Sequence, residues 1–232
     1  MDVIDTIPLK LAPKAVSARL RFNPARAGDM NLAELIARAR TLIRLRAVHE
    51  IAFIGAKGED TVEIAGVSFH SRILRENLDR AEKVFPFILT AGPALEAAAS
   101  ASGDLLVQYY LEEIANLALE NAAAWLGEKL ARRWGFSRLS SMDPGSLEDW
   151  PITEQPKLFS LFGDTERLLG VRLTDGMLMI PRKSISGIFF PSEAGFVSCQ
   201  LCDRAACPGR KSTYDETLAA KRGLAAGSTK KS

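Results

Sequence analysis

Three cysteines, Cys199, Cys202 and Cys207, fall in the run Cys199-Gln200-Leu201-Cys202-Asp203-Arg204-Ala205-Ala206-Cys207-Pro208-Gly209-Arg210, and the chain has no others. An odd, clustered set is a poor disulfide framework and fits a reducing compartment better. Thiolates this close can wrap one soft metal centre. The run is therefore a candidate iron–sulfur or zinc site, with His70, Asp203 or solvent to complete a zinc shell. Arg204, Arg210 and Lys211 would favour anionic sulfur. The plainer alternative is three reduced thiols in a surface loop. The other reactive residue types lack company. His49 and His70, the only histidines, read as packed or surface residues. Ser184 and Ser186 should bond backbone, because no histidine lies near them in sequence to act as a base. Met177 and Met179 alternate as strand residues do and read as core. Arg182 and Lys183 read as solvated.

Bulk composition narrows the partners. Of 232 residues, 47% are hydrophobic and 25% charged, enough for a sizeable core. Lys and Arg total 30 against 28 acids, a net charge of +2, which argues against nucleic acid as a partner. Apolar runs such as Ile51-Ala52-Phe53-Ile54 fall far short of the roughly 20 residues of a membrane span. The start, Met1-Asp2-Val3-Ile4-Asp5, lacks the basic and apolar regions of a signal peptide. The expectation is a cytoplasmic protein with no membrane partner.

The elements that would position these groups mix helix and strand. Residues 1–30 hold Pro8, Pro13, Pro24 and Gly28 and read as an extended segment, with a strand where Val16, Ala18, Leu20 and Phe22 alternate with polar residues. Asn31 or Asp29 can cap a helix with the stripe Leu32, Leu35, Ile36, Ala39, Leu42 and Ile43. Ile51–Gly55 reads as a strand, and Thr61–Ile64 with Val67–Phe69 as a hairpin about Gly66. A helix over Ser71–Lys83 follows, then a strand over Val84–Thr90 in which Pro86 implies an edge or bulge. A long helix runs from a cap at Asp104 to Trp134, with Leu106, Tyr110, Ile114, Leu117, Asn121 and Trp125 on one face and Gly135 as its stop. A loop over 137–156, a helix near 157–168 and short strands at 171–173, 177–180, 187–190 and 196–198 complete the pattern. The pattern predicts an α+β fold with a mixed, largely antiparallel sheet and flanking helices. The main domain is expected over 31–215, with the Cys-rich segment 199–210 at its end and a disordered tail over 216–232.

One stretch carries more. From Arg138 the chain reads RLSSMDPGSLEDWPITEQPKLFSLF and then GVRLTDGMLMIPRKSISGIFF. The order of Arg138, Pro144-Gly145, Leu161-Phe162, Gly170-Val171-Arg172-Leu173-Thr174-Asp175, Met179-Ile180-Pro181 and Ser184-Ile185-Ser186-Gly187 resembles the C-terminal reactivation domain of cobalamin-dependent methionine synthase. The resemblance covers roughly residues 80 to 200. Ser146 stands where that family has a tyrosine, and two extra residues separate Arg138 from Pro144. Trp150 is the candidate to supply the missing aromatic surface.

The resemblance implies a stand-alone activation-like domain that binds S-adenosylmethionine through Arg138, Pro144, Gly145 and Ser146, with no catalytic side chain of its own. In that family the domain covers the corrin of a cobalamin held elsewhere, and an electron plus the sulfonium methyl restore methylcobalamin from inactive Co(II). An arginine fork suits the ligand carboxylate, and a Pro-Gly turn leaves backbone open to close approach. No cobalamin-binding Asp-x-His-x-x-Gly motif is present, so the corrinoid would belong to a partner: a methionine synthase or another corrinoid methyltransferase, served by an electron donor. The expectation is thus a component of methionine biosynthesis rather than a complete enzyme. Two other readings stand beside it. One is an iron–sulfur protein that uses Cys199, Cys202 and Cys207 to reduce a partner's Co(II) corrinoid. The other is a non-catalytic corrinoid-protein docking module.

Overall fold

The computed structural model describes residues 1–23, 31–193, 195–204, 206–207 and 209–224. In chain order its strands are β1 (Asp2–Ile4), β2 (Arg46–His49), β3 (Ala52–Lys57), β4 (Thr61–Ile64), β5 (Val67–His70), β6 (Lys83–Thr90), β7 (Leu139–Met142), β8 (Arg172–Leu173), β9 (Met179–Ile180) and β10 (Ser184–Pro191). Its helices are α1 (Pro13–Leu20), α2 (Leu32–Leu42), α3 (Arg72–Asn77), α4 (Ala94–Ser100), α5 (Leu105–Trp134), α6 (Gln155–Ser160), α7 (Thr165–Leu169) and α8 (Glu216–Lys221). Helices mix with antiparallel strand pairs, as the α+β reading expects.

The chain divides into two units, and β6, α5 and β10 contribute residues to both. The first holds Met1–Glu50, Phe87–Lys129 and Phe162–Ser186. There β1 pairs with β2, and β2 pairs with Phe87–Thr90 of β6. Asn31 caps α2 by accepting from the N–H groups of Ala33 and Glu34, at 2.9 and 3.4 Å. Asp29, the other cap considered, lies outside the described residues. Asp104 caps α5, its Oδ1 accepting from Leu106 N at 2.8 Å and Val107 N at 3.2 Å. Gly135, at φ 69°, follows the last turn. The inward face of α5 in this unit is Leu111, Ile114, Ala115, Ala118, Ala122 and Leu126. Of the expected stripe, Tyr110 and Ile114 are buried, while Leu106 is exposed and Asn121 donates to Lys10 O at 2.9 Å. Small alanines at i+3 and i+4 steps form the buried line where larger side chains were expected to do so.

The second unit holds Ile51–Pro86, Leu130–Leu161 and the chain from Gly187 onward. Lys83–Val84 of β6 pairs with β3, β3 with β4, and β4 with β5. The β4–β5 turn places Ala65 at φ 50° and Gly66 at φ 81°, the paired positive values of a tight hairpin. β7 pairs with β10 in the register Met142–Ile188 to Leu139–Pro191. The core gathers Phe69, Ile73, Leu74, Leu78, Met142, Trp150, Leu158, Ile188 and Phe190, with Leu201 and Ala219 from the C-terminal segment.

Several expectations need correction. Residues 13–20 form a helix rather than a strand. Pro13 occupies its first turn, and only Val16 and Leu20, four apart, are buried while Ala18 is exposed. Pro86 lies within β6, which pairs on both flanks, rather than on an edge strand. It falls between the stretch that pairs with β2 and the stretch that pairs with β3. The helix after Ser71 stops at Asn77. Residues 157–168 fall in two short helices, because Gly163 at φ 69° ends one and Asp164 caps the next through Arg167 N. The expected loop contains β7, and the strand expected at 196–198 is a single bridge between Val197 and Ser141. Part of the expected tail is α8, capped by Asp215 and burying Ala219; residues 225–232 lie outside the described residues.

Candidate functional site

The expected ligand residues bracket β7. Arg138 immediately precedes the strand, and its carbonyl accepts from Ser192 N at 3.4 Å. Its side chain is exposed, and no carboxylate among the described residues pairs with it. A Cβ at Gly195, which has φ 68°, would lie 2.1 Å from Arg138 Nη1. The guanidinium lies against the backbone at Gly195, whose positive φ favours glycine.

At the other end of β7 the chain turns over Asp143-Pro144-Gly145-Ser146. Ser146 N donates to Asp143 O at 3.1 Å, with Pro144 and then Gly145 (φ 84°) in the middle, the arrangement of a type II turn. Ser146 Oγ donates to the same carbonyl at 2.6 Å. Gly145 N donates to Trp150 O at 2.7 Å and Trp150 N to Leu147 O at 3.1 Å, which closes residues 143–150 into a small loop. Gly145 is exposed and Pro144 buried, so the backbone at the glycine stays open. Five residue steps along β7 separate Arg138 from Asp143, roughly 17 Å of extended chain. The structure therefore brings Pro144, Gly145 and Ser146 together and sets Arg138 apart from them.

Trp150 is not an aromatic surface for a ligand. It is fully buried, and its ring meets Phe69 edge-on at 6.1 Å. Its indole N–H has no acceptor among the described residues. Neighbouring side chains secure the segment after the turn. Asp149 Oδ2 accepts from Ile73 N at 2.9 Å and from Ser71 Oγ, so it caps α3 from across the unit. Glu154 accepts from His70 N at 2.9 Å and from Lys157 Nζ at 2.7 Å. A cavity of about 590 Å³ opens beside this segment, lined by Glu59, Asp60, His70, Arg72, Glu148, Asp149 and Pro151. None of Arg138, Pro144, Gly145 and Ser146 lines it.

Sequence reasoning missed Asp143. Its carboxyl lies against β10, where a Cβ at Gly187 would fall 2.1 Å from Oδ1 and 2.7 Å from Met142 O. The residue keeps some exposure, but the carboxyl itself is enclosed. Burial pushes its pKa up to about 6, against the opposing pull of Lys211. The only local signal was Asp-Pro-Gly at a turn; Gly187 and Lys211 are remote in sequence.

Lys211 belongs to the cysteine segment. Cys199, Cys202 and Cys207 are all half-buried and unbridged. Among the described residues no three His, Cys, Asp or Glu side chains gather as a metal-holding group. Arg210 organises the segment instead: Nη1 donates to Cys199 O at 3.2 Å and Ser212 O at 3.1 Å, and Nη2 to Cys202 O at 3.1 Å and to Arg204 O. Lys211 N donates to Cys199 Sγ at 3.4 Å.

The remaining reactive residues have structural roles. His49 is buried in β2, and His70 is exposed with Nε2 3.3 Å from Asp60. Ser184 Oγ donates to Pro181 O at 2.8 Å, bonding backbone as expected, and lies 2.9 Å from Thr90 Oγ1. Arg182 pairs with Glu96 and Glu112. Lys183 is largely buried and donates to Asn116 Oδ1 at 3.2 Å, rather than being solvated.

No protein-family model matches the chain, and no curated protein matches it. Among solved structures it is similar to one described as the crystal structure of the MetH reactivation domain bound to AdoHcy. That match has 16% identity, a TM-score of 0.55, and covers 97% of this chain and 87% of the other. The two share a fold.

Proposed function

We propose that this chain binds S-adenosylmethionine, or its demethylated product, and serves as the reactivation component of a separate corrinoid methyltransferase such as methionine synthase. The observation that carries the proposal is the likeness, over 97% of the chain, to a domain solved with AdoHcy. The residues at β7 fit such a ligand. An exposed arginine with no carboxylate partner among the described residues suits an amino-acid carboxylate. An exposed glycine at the apex of a type II turn lets a flat or bulky group approach the backbone. When bound, adenosylmethionine supplies an activated methyl group on sulfur. The chain's own part is to hold and orient that ligand, and no nucleophile or general base is required of it.

The cobalamin and the electron belong to partners in this proposal, and the compartment is the cytoplasm. No helix among the described residues is long and apolar enough to cross a membrane. The geometry of the cysteines adds nothing to the electron-transfer reading, since no metal-holding group is gathered there among the described residues.

The partner role is tested with a Co(II)-loaded corrinoid methyltransferase that lacks such a domain, mixed with adenosylmethionine and a low-potential reductant. The Co(II) paramagnetic signal should fall faster when this chain is added. A decay rate unchanged by the chain counts against the role.

A further inference from the structure

We propose that Cys199 and Cys202 form a dithiol/disulfide site. Cys202 N donates to Cys199 O at 3.4 Å, a one-turn closure that brings the two Cα atoms within about 7 Å. That overlaps the Cα separations of roughly 4.4–6.8 Å that a disulfide spans. Arg210 holds the turn from outside by binding the carbonyls of both cysteines, so the pair is fixed by a cation rather than left in a free loop. Cys207 lies beyond this turn and closes its own, with Arg210 N donating to Cys207 O at 3.2 Å. Cys202 packs against the core of the second unit. The Cys199 sulfur accepts from the N–H of Lys211 at 3.4 Å.

The exchange needs an oxidant, and a low-molecular-weight disulfide suffices. The Cys199 thiolate attacks one sulfur of oxidised glutathione. The glutathione S–S bond breaks, one glutathione thiolate leaves and takes up the proton, and a mixed disulfide forms. The Cys202 thiolate then attacks the Cys199 sulfur and expels the second glutathione. Two protein thiols are oxidised and one glutathione disulfide is reduced to two thiols.

Its test uses no ligand, so failure of this proposal and failure of the proposed function are read separately. The full chain is treated with oxidised glutathione, capped with an alkylating agent, digested and mapped by mass. A Cys199–Cys202 linkage with Cys207 unlinked to either is expected, and Cys207→Ser should give the same linkage. In Cys199→Ser that linkage should disappear. Linkage through Cys207, or three cysteines that alkylate fully after glutathione treatment, overturns the site.

Discussion

Replacing Asp143 with asparagine should remove a pH dependence that the fold builds into the turn after β7. In the folded chain burial lifts this carboxyl from 3.8 to about 6. A raised carboxylate pKa means the folded state holds a proton that the unfolded state has released. Stability from this group is therefore present below about pH 4 and is lost as pH rises through about 6. A difference of about two pKa units corresponds to about 3 kcal/mol. Asparagine has nearly the same shape and no charge, so the cost of burying the carboxylate vanishes. At pH 7 the Asp143→Asn protein should exceed the parent by up to about 3 kcal/mol, and near pH 4 the two should converge. Urea unfolding of both proteins across that window supplies the difference, in which other titrating groups cancel. A difference that stays constant from pH 4 to about 7 would refute the assignment.

Other substitutions test the surrounding geometry. Gly187→Ala forces a methyl group against Asp143 Oδ1 and Met142 O; a loss of about 1–3 kcal/mol in urea unfolding is expected, and a neutral result would mean the strands lie further apart. Gly145→Ala combines φ 84° with a contact 3.0 Å from Ile152 Cδ1 and should cost about 1–2 kcal/mol, seen as a lower Tm. Asp104→Ala removes the α5 cap; hydrogen exchange at Leu106 and Val107 should speed up, with about 1 kcal/mol lost overall. Unaltered exchange at those amides would show that the first turn does not depend on the cap.

The sequence displayed features whose cause is local. The α5 boundaries follow from Asp104 and Gly135, α2 from Asn31, and the β4–β5 hairpin from Ala65-Gly66, because each signal sits within a few residues of its effect. Features set by distant partners stayed hidden. Val16 and Leu20 fit an alternating strand and a helical i, i+4 pair equally well, and only burial decides between them. β7, Leu139–Met142, has a weak pattern and exists through its pairing with β10. Asp149 caps a helix more than 70 positions away, so no nearby residue betrays it. At the candidate site the Pro-Gly turn was legible, because proline and glycine dictate its backbone. The separation of Arg138 from that turn, the burial of Trp150 and the enclosure of Asp143 by Gly187 depend on the sheet and were not.

Calorimetric titration of the whole chain with AdoHcy tests the central proposal most directly. Saturable binding is expected, weakened about tenfold or more in Arg138→Ala and only partly restored in Arg138→Lys, because a lysine cannot present the two-pronged fork. The Arg138→Ala protein should keep the parent's stability, since the exposed side chain has no carboxylate partner among the described residues. Absence of binding by the folded parent chain, or affinity indifferent to Arg138→Ala, would contradict the proposed ligand site while leaving the shared fold intact.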